Sequence, residues 1–245
     1  EQLEEVDPEA IFAARMGLRR VLATQLQTEF EAALATYTTS GPYSPDPLSA
    51  GRRALRNLAL GYLMELETPD IRARGLSQLR ETDNMTDSMA ALLALANCDC
   101  PEREAGLEWF YTRWQAEPLV VDKWFSAQAS SRLPGTLAEV KRLLTHPAFD
   151  LRNPNKVRAL IGAFCHGNHV GFNAADGSGY AFAAEQIIAL DGMNAQVAAR
   201  MARAFDRWRK FDAGRQRHAR TALERIRATD GLSKDSFEVV SRALA

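Results

Sequence analysis

Apolar residues recur along almost the whole chain with the 3.6-residue period of an amphipathic helix, and clusters of Pro, Gly, Asn and Asp interrupt that period. The pattern predicts one long helix over residues 9–38, closed by GPYSPDP, where Pro42, Pro45 and Pro47 forbid continuation. A second helix follows over 48–66, with shorter ones near 70–80, 84–97, 101–116, 119–131 and 134–145. The connectors are of the short kind that joins antiparallel neighbours. Strand alternation is almost absent.

The stretch NPNKVRALIGAFCHGNHVGFNAADGSGYAF, residues 153–182, fits the same scheme as helix, loop and helix. Asn153 is placed as an N-cap and Pro154 at the first helical position, where its missing N–H costs nothing. Val157, Leu160, Ile161 and Phe164 then form a buried stripe, and Gly167 and Asn168 end it. The loop GNHVGFNAADGSG leads into a helix near 180–190. Val197, Met201, Phe205 and Trp208 mark the next, and Ala219, Ala222, Leu223 and Ile226 a further stripe. The last helix has Ser233 as its cap, Leu232 and Phe237 at staple spacing, and Val240 and Leu244 on its apolar face. Helices in stacked antiparallel pairs without a strict repeat predict an all-α fold, an irregular α-solenoid of the ARM/HEAT-like superhelix kind, with 1–245 as one α-helical domain.

Composition narrows the function classes. With 46% hydrophobic residues the 245-residue chain can bury a core. Its 30 Lys and Arg balance 31 Asp and Glu, which argues against nucleic acid or an anionic membrane as partner. No apolar run approaches the roughly 20 residues of a membrane span. EQLEEVDPEA lacks the basic-then-apolar pattern of a signal peptide, and the absence of an initiator Met points to a piece of a longer chain. Three Cys, at 98, 100 and 165, are an odd number and include a C-D-C pair too close for an easy bridge, which points to a reducing, cytoplasmic setting.

Three chemistries are conceivable within residues 153–182. Cys165, His166 and His169 offer metal-ligand atoms, but Gly167 and Asn168 break the helix between the two His, and neither His146 nor His218 completes a ligand pattern. No metal is expected in this chain. Gly177, Ser178 and Gly179 could cradle a phosphate, yet no strand precedes them and Phe182 stands where the third glycine of a dinucleotide fingerprint would be. They read as a helix entry capped by Asp176 or Ser178. Lys156 and Arg158 could form an anion- or peptide-binding surface. Arg158 lies on the flank of its helix with open space expected beside Gly162, and Arg200, Arg203 and Arg207 share one flank of the Val197 helix. Arg209, Lys210, Arg215, Arg217, Arg220, Arg225 and Arg227 continue a locally basic region in which Glu224 can pair with Arg220 and Arg227. Exposed basic faces are mostly solvated, but arginines aimed into a cavity can hold a carboxylate.

The runs NPNKVRALIGAF, DGSGYAF, NAQVAAR, DNMTDSMAAL, LVVDKWF and GLSKDSFEVVSRALA, with the entry EVDPEAI, resemble the C-terminal helical domain of the bacterial aminopeptidase N family, which are zinc-dependent gluzincin aminopeptidases. The resemblance spans the whole chain. It implies a larger enzyme whose H-E-x-x-H zinc site and specificity Glu lie in a separate thermolysin-like domain, so the zinc belongs to the parent enzyme and this chain carries no catalytic residue. It also implies a lid that closes over the catalytic domain of the same polypeptide, forming a chamber that admits peptide substrates and excludes folded proteins. Arg158 in NPNKVRALIG and Arg200 in NAQVAAR are the positions that inherit the substrate-facing role. CHGNHVGFN departs from the family pattern, so no loop-specific role carries over. The residues alone also allow a free-standing α-solenoid that binds a partner protein on its concave face.

Overall fold

The computed structural model describes residues 4–38 and 41–245; the first three residues of EQLEEVDPEA lie outside them. Among the described residues the fold is all-α, with fourteen α-helices packed in sequential pairs. The one extended pairing is an isolated parallel bridge between Val6 and Phe211, in which the Val6 N–H donates to the Lys210 carbonyl at 2.7 Å. The chain divides into two compact units, residues 12–127 and residues up to 11 together with 128–245.

The first unit contains most of α1 (Pro8–Gln25), then α2 (Gln27–Thr36), α3 (Pro47–Leu63), α4 (Pro69–Glu81), α5 (Met85–Ala96), α6 (Pro101–Trp114) and most of α7 (Pro118–Ala129). Prolines open α3, α4 and α6 at positions where no N–H is needed. Asp46 caps α3 by accepting from the Leu48 and Ser49 N–H groups at 3.0 Å, and Asn84 caps α5 from the Asp87 N–H at 2.9 Å. α2 packs on α3 and α4 on α5, around Leu60, Leu63, Leu79, Leu92, Leu95 and Phe110.

The single helix expected over 9–38 is two helices. Leu26 leaves the helical region at φ −110° and ψ 25°. No breaker residue marks the place. The restarted helix buries Leu34 and stacks Phe30 on Tyr62 of α3, with ring centroids 4.7 Å apart and planes 6° from parallel. Tertiary packing on α3 therefore outweighs the local helical preference.

The second unit contains α8 (Thr136–Leu143), α9 (Pro154–Val157) running into a π-helix over Arg158–Gly167, α10 (His169–Phe172), α11 (Ser178–Asp191), α12 (Ala195–Ala202), α13 (Ala213–Arg227) and α14 (Lys234–Leu244). Two 3₁₀ turns, Arg203–Phe205 and Trp208–Lys210, separate α12 from α13. α11 packs on α12 and α13, and α14 packs on α12 and α13. The core is aromatic: Phe172 meets Tyr180 at 5.2 Å and Phe205 at 5.5 Å, and Phe164 meets Phe182 at 5.5 Å, all edge to face. Ser233 caps α14 through the Ser236 N–H and also donates to Asp191 at 2.6 Å, tying the start of α14 to the end of α11.

Three expectations change here. The helix starting at Asn153 is α-helical for one turn and a π-helix thereafter, which widens its turn to i→i+5 bonding. The helix expected to run from Val197 to Trp208 ends at Ala202. Its 3₁₀ continuation lets Phe205 reach Phe172 and Tyr180, while the Trp208 indole donates to the Ala243 carbonyl at 2.9 Å. Within GNHVGFNAADGSG, expected to be loop, His169–Phe172 forms one helical turn capped by Asn168.

Candidate functional site

The loop from Asn168 to Ser178 is built from buried amides. Asn168 donates to the carbonyls of Ala129 and Ser131 at 3.2 and 2.8 Å and accepts from the Gly171 N–H at 3.0 Å. Asn173 donates to the His169 carbonyl at 2.8 Å and accepts from the Tyr180 hydroxyl at 2.9 Å. Arg215 closes the arrangement by donating from Nε to the Asn173 carbonyl at 2.7 Å while pairing with Asp212 at 2.5 Å and Glu9 at 3.1 Å. Burial opposes the Arg215 charge, but its hydrogen bond to Asp212 and the Glu9 carboxylate outweigh burial, and its pKa lies above the ordinary arginine value. Arg215 is therefore a structural clamp rather than part of a solvated basic face, a role its place in an arginine-rich run concealed.

The glycines of the G-S-G serve packing. A Cβ on Gly179 would lie 2.3 Å from the Phe172 carbonyl oxygen and 2.5 Å from that of Gly171. Gly177 has φ +74°, and a Cβ there would lie 2.5 Å from the His218 ring. The neighbouring Asp176 carboxylate accepts from the Ser178 N–H at 2.9 Å, and bonds from Ser178 hold its carboxyl below the usual carboxylate range.

Cys165 is buried, whereas His166 and His169 are exposed, so the three side chains do not converge. Burial pushes the Cys165 thiol up to about 12, and Cys98 likewise rises to about 12 through burial and its neighbour Cys100. Partial desolvation of the ring lowers the His166 pKa, with Asp206 opposing. Among the described residues no group of three or more His, Cys, Asp or Glu could hold a metal ion, and no helix is long and apolar enough to cross a membrane.

Arg158 and Arg200 are both exposed. Arg158 opens the π-helix and donates to Asn155 Oδ1 one turn earlier. Arg200 lies in the last turn of α12. The elements that carry them meet at Gly162, whose added Cβ would lie 3.5 Å from the Met201 methyl, so Met201 fills the space expected to stand open beside Arg158. Lys156, weighed with Arg158 as a surface cation, is buried. The flank expected to unite Arg200, Arg203 and Arg207 is interrupted, because α12 ends at Ala202 and Arg203 turns to pair with Asp206 at 3.3 Å. Further along, Arg220 lies over the Trp208 ring and 4.0 Å from Glu224, and Arg225 pairs with Glu185 at 3.6 Å.

The first unit holds a cavity of about 720 Å³ bounded by α2, α3, α4 and α5. At its wall, Asp87 accepts from Asn57 at 2.7 Å and Asn84 at 3.0 Å, and faces Arg56 at 3.5 Å. Asp70 pairs with Arg74 at 2.8 Å, Glu81 accepts from Ser77 at 2.7 Å, and Asp83 accepts from the Tyr43 N–H at 3.0 Å. Every carboxylate on the wall is thus already engaged by the protein. The DNMTDS motif is explained by capping and this buried network, a structural role.

Comparison with known proteins gives a consistent result. The family model described as "Domain of unknown function (DUF3458_C) ARM repeats" matches residues 1–245. Aminopeptidase N of Escherichia coli (strain K12) is 39% identical over 242 residues, covering 98% of this chain and 28% of the relative. Aminopeptidase N of Caulobacter vibrioides is 37% identical over 241 residues, again 98% of this chain and 28% of the relative. The crystal structure of Legionella pneumophila aminopeptidase A in complex with aspartic acid superposes with a TM-score of 0.90 at 31% identity, covering 99% of this chain and 29% of that one. The chain spans less than a third of the length of these relatives and corresponds to their C-terminal part.

Proposed function

From the premise that the chain belongs to the ARM-repeat family forming the C-terminal part of bacterial aminopeptidase N, we propose that it is the lid and substrate-chamber domain of a cytoplasmic zinc aminopeptidase that removes N-terminal residues from peptides. On this reading residues 1–245 are one functional domain of a larger polypeptide. On this reading the zinc and the groups that activate its water lie in the catalytic part, and among the described residues here no set of three or more converging ligands is found. The task left to this chain is to enclose, bind and orient the peptide.

The observation that carries the reading is the placement of Arg158 and Arg200. Both are exposed, on two elements that touch at Gly162 and Met201, and Arg200 is engaged in no ion pair among the described residues. Arg158 is held only by the neutral Asn155 amide oxygen, which a stronger acceptor can displace. In an enclosed chamber each guanidinium can donate to peptide carbonyls or to the C-terminal carboxylate, a charge-assisted bond contributing about 1.5–3 kcal/mol.

These contacts are remote from the scissile bond, so they stabilise ground and transition states alike. Arg158→Ala or Arg200→Ala in the full-length enzyme is expected to raise KM for a tetrapeptide about tenfold or more at nearly constant kcat. A single-residue aminoacyl anilide, too short to reach either arginine, should be indifferent. Equal losses on both substrates with a lowered Tm would assign the arginines to the interface between domains, and no loss on either would leave them as solvated surface.

A further inference from the structure

Cys98 and Cys100 have no part in the proposed function, yet both thiols are free and both are buried, at 3% and 8% exposure. They stand in the turn between α5 and α6, and Asp99 between them is exposed. That alternation sends the two sulfurs to the same inner side of the segment, as positions i and i+2 of extended backbone do. Cys100 is extended, at φ −157° and ψ 158°, and although it occupies the N-cap position of α6 its side chain makes no capping bond. Its thiol instead hydrogen-bonds with that of Cys98.

Two charged groups act on the pair. Arg72 of α4 favours negative charge at Cys98, and its Nε–H is buried without a hydrogen-bond partner. Two neutral thiols give that donor nothing to face, whereas an anionic group at the sulfurs would. Glu67 acts on Cys98 in the opposite sense, so two bare thiolates, with their double negative charge, are disfavoured in this interior. A bound univalent cation removes one of the two charges. It also spans the pair without drawing the sulfurs to bonding distance, which a disulfide between positions i and i+2 would demand.

We propose that Cys98 and Cys100 form a two-coordinate site for a soft univalent metal ion, copper(I), with the Arg72 guanidinium facing the bound complex. Thiolate sulfur selects copper(I) among the first-row metals. A closed-shell univalent ion is satisfied by two ligands, whereas structural zinc takes four, and no group of three or more His, Cys, Asp or Glu ligands occurs among the described residues. On binding, each thiol releases its proton to solvent and each sulfur donates an electron pair. One Cu⁺ and two thiols thus give a bis-thiolate of net charge −1 and two protons, with no electron transferred. Cys100, the more exposed of the two, is the sulfur that meets the incoming ion first.

The test titrates the complete polypeptide encoded by the gene with copper(I), without oxygen and below one equivalent, in competition with the chromophoric chelator bathocuproine disulfonate. The wild type should withdraw one equivalent that neither Cys98→Ser nor Cys100→Ser holds, while Cys165→Ser binds as the wild type does. Arg72→Gln should lower the affinity about 10–100-fold, as loss of a partner outside the ligand shell does. A second measurement needs no variant: the X-ray absorption edge of copper on the wild-type protein should report two sulfur neighbours and no nitrogen or oxygen. Retention of the equivalent by either serine variant of the pair, its loss in Cys165→Ser, or a copper environment with a third ligand or with nitrogen or oxygen would each overturn the site. Full affinity in Arg72→Gln would overturn the role given to Arg72.

Discussion

Replacing Arg215 by Ala removes three interactions at once, and the structure separates their worth. The Nε–H bond to the Asn173 carbonyl is buried and made by a charged donor, and its loss strands that carbonyl in the interior, at a cost of about 1.5–3 kcal/mol. The partners Asp212 and Glu9 have side chains 37% and 53% exposed, so each ion pair adds about 0–1 kcal/mol. The expected loss is therefore about 1.5–5 kcal/mol, most of it from the buried bond. Urea unfolding at neutral pH reads this as a lower midpoint at unchanged slope. Arg215→Lys keeps the charge without the planar fork and should fall in between. Salt provides the first control: 1 M NaCl screens the exposed pairs but leaves the larger part of the difference. Acid provides the second. The bond from Arg215 holds the Asp212 carboxyl below the usual carboxylate range, so its contribution is full above the unfolded pKa of about 3.9 and disappears as pH falls through the lower folded value. The gap between wild type and Arg215→Ala should accordingly narrow below about pH 4. A loss under about 1 kcal/mol that vanishes in salt would refute the assignment of Arg215 as a buried clamp.

The remaining expectations follow from the same contacts. Gly179→Ala forces a Cβ against two carbonyl oxygens of α10 and should cost about 3 kcal/mol or more, visible as a drop in Tm, whereas a neutral substitution would mean that this turn yields freely. The thiols of Cys98 and Cys165, raised to about 12 by burial, should resist iodoacetamide at pH 8 in the folded protein and react once urea is added; rapid alkylation of the native protein would contradict their burial. The chain by itself should hydrolyse no aminoacyl anilide at any zinc concentration, since no group of three or more metal ligands is found among its described residues; chelator-sensitive turnover by the pure chain would contradict the reading that the zinc belongs to the catalytic part.

Helix positions were largely legible because their signals are local. Prolines at the first turn of α3, α4 and α6, and the capping side chains of Asp46, Thr68, Asn84, Asn153, Asn194 and Ser233, act on backbone groups within three residues. What stayed hidden depends on distant partners. The break at Leu26 answers to Tyr62, the end of α12 at Ala202 to the packing of Phe205 and Trp208, and the burial of Arg215 to the Asn173 carbonyl 42 residues earlier in the chain. The same division runs through the candidate site. The periodicity placed Arg158 on an exposed flank, but no spacing rule could bring its helix against α12, because that contact is made by Gly162 and Met201 across two separate helices. The π-helix has no compositional mark comparable to a proline or a cap.

The central claim is that this domain encloses the substrate of a peptidase. It is tested most directly with one N-terminal tetrapeptide sequence presented to the full-length enzyme in two forms, free and at the terminus of a stably folded domain, comparing kcat/KM for release of the first residue. An enclosing chamber predicts efficient hydrolysis of the free tetrapeptide and none of the folded fusion until the fusion is unfolded. Equal rates on the two forms would contradict it.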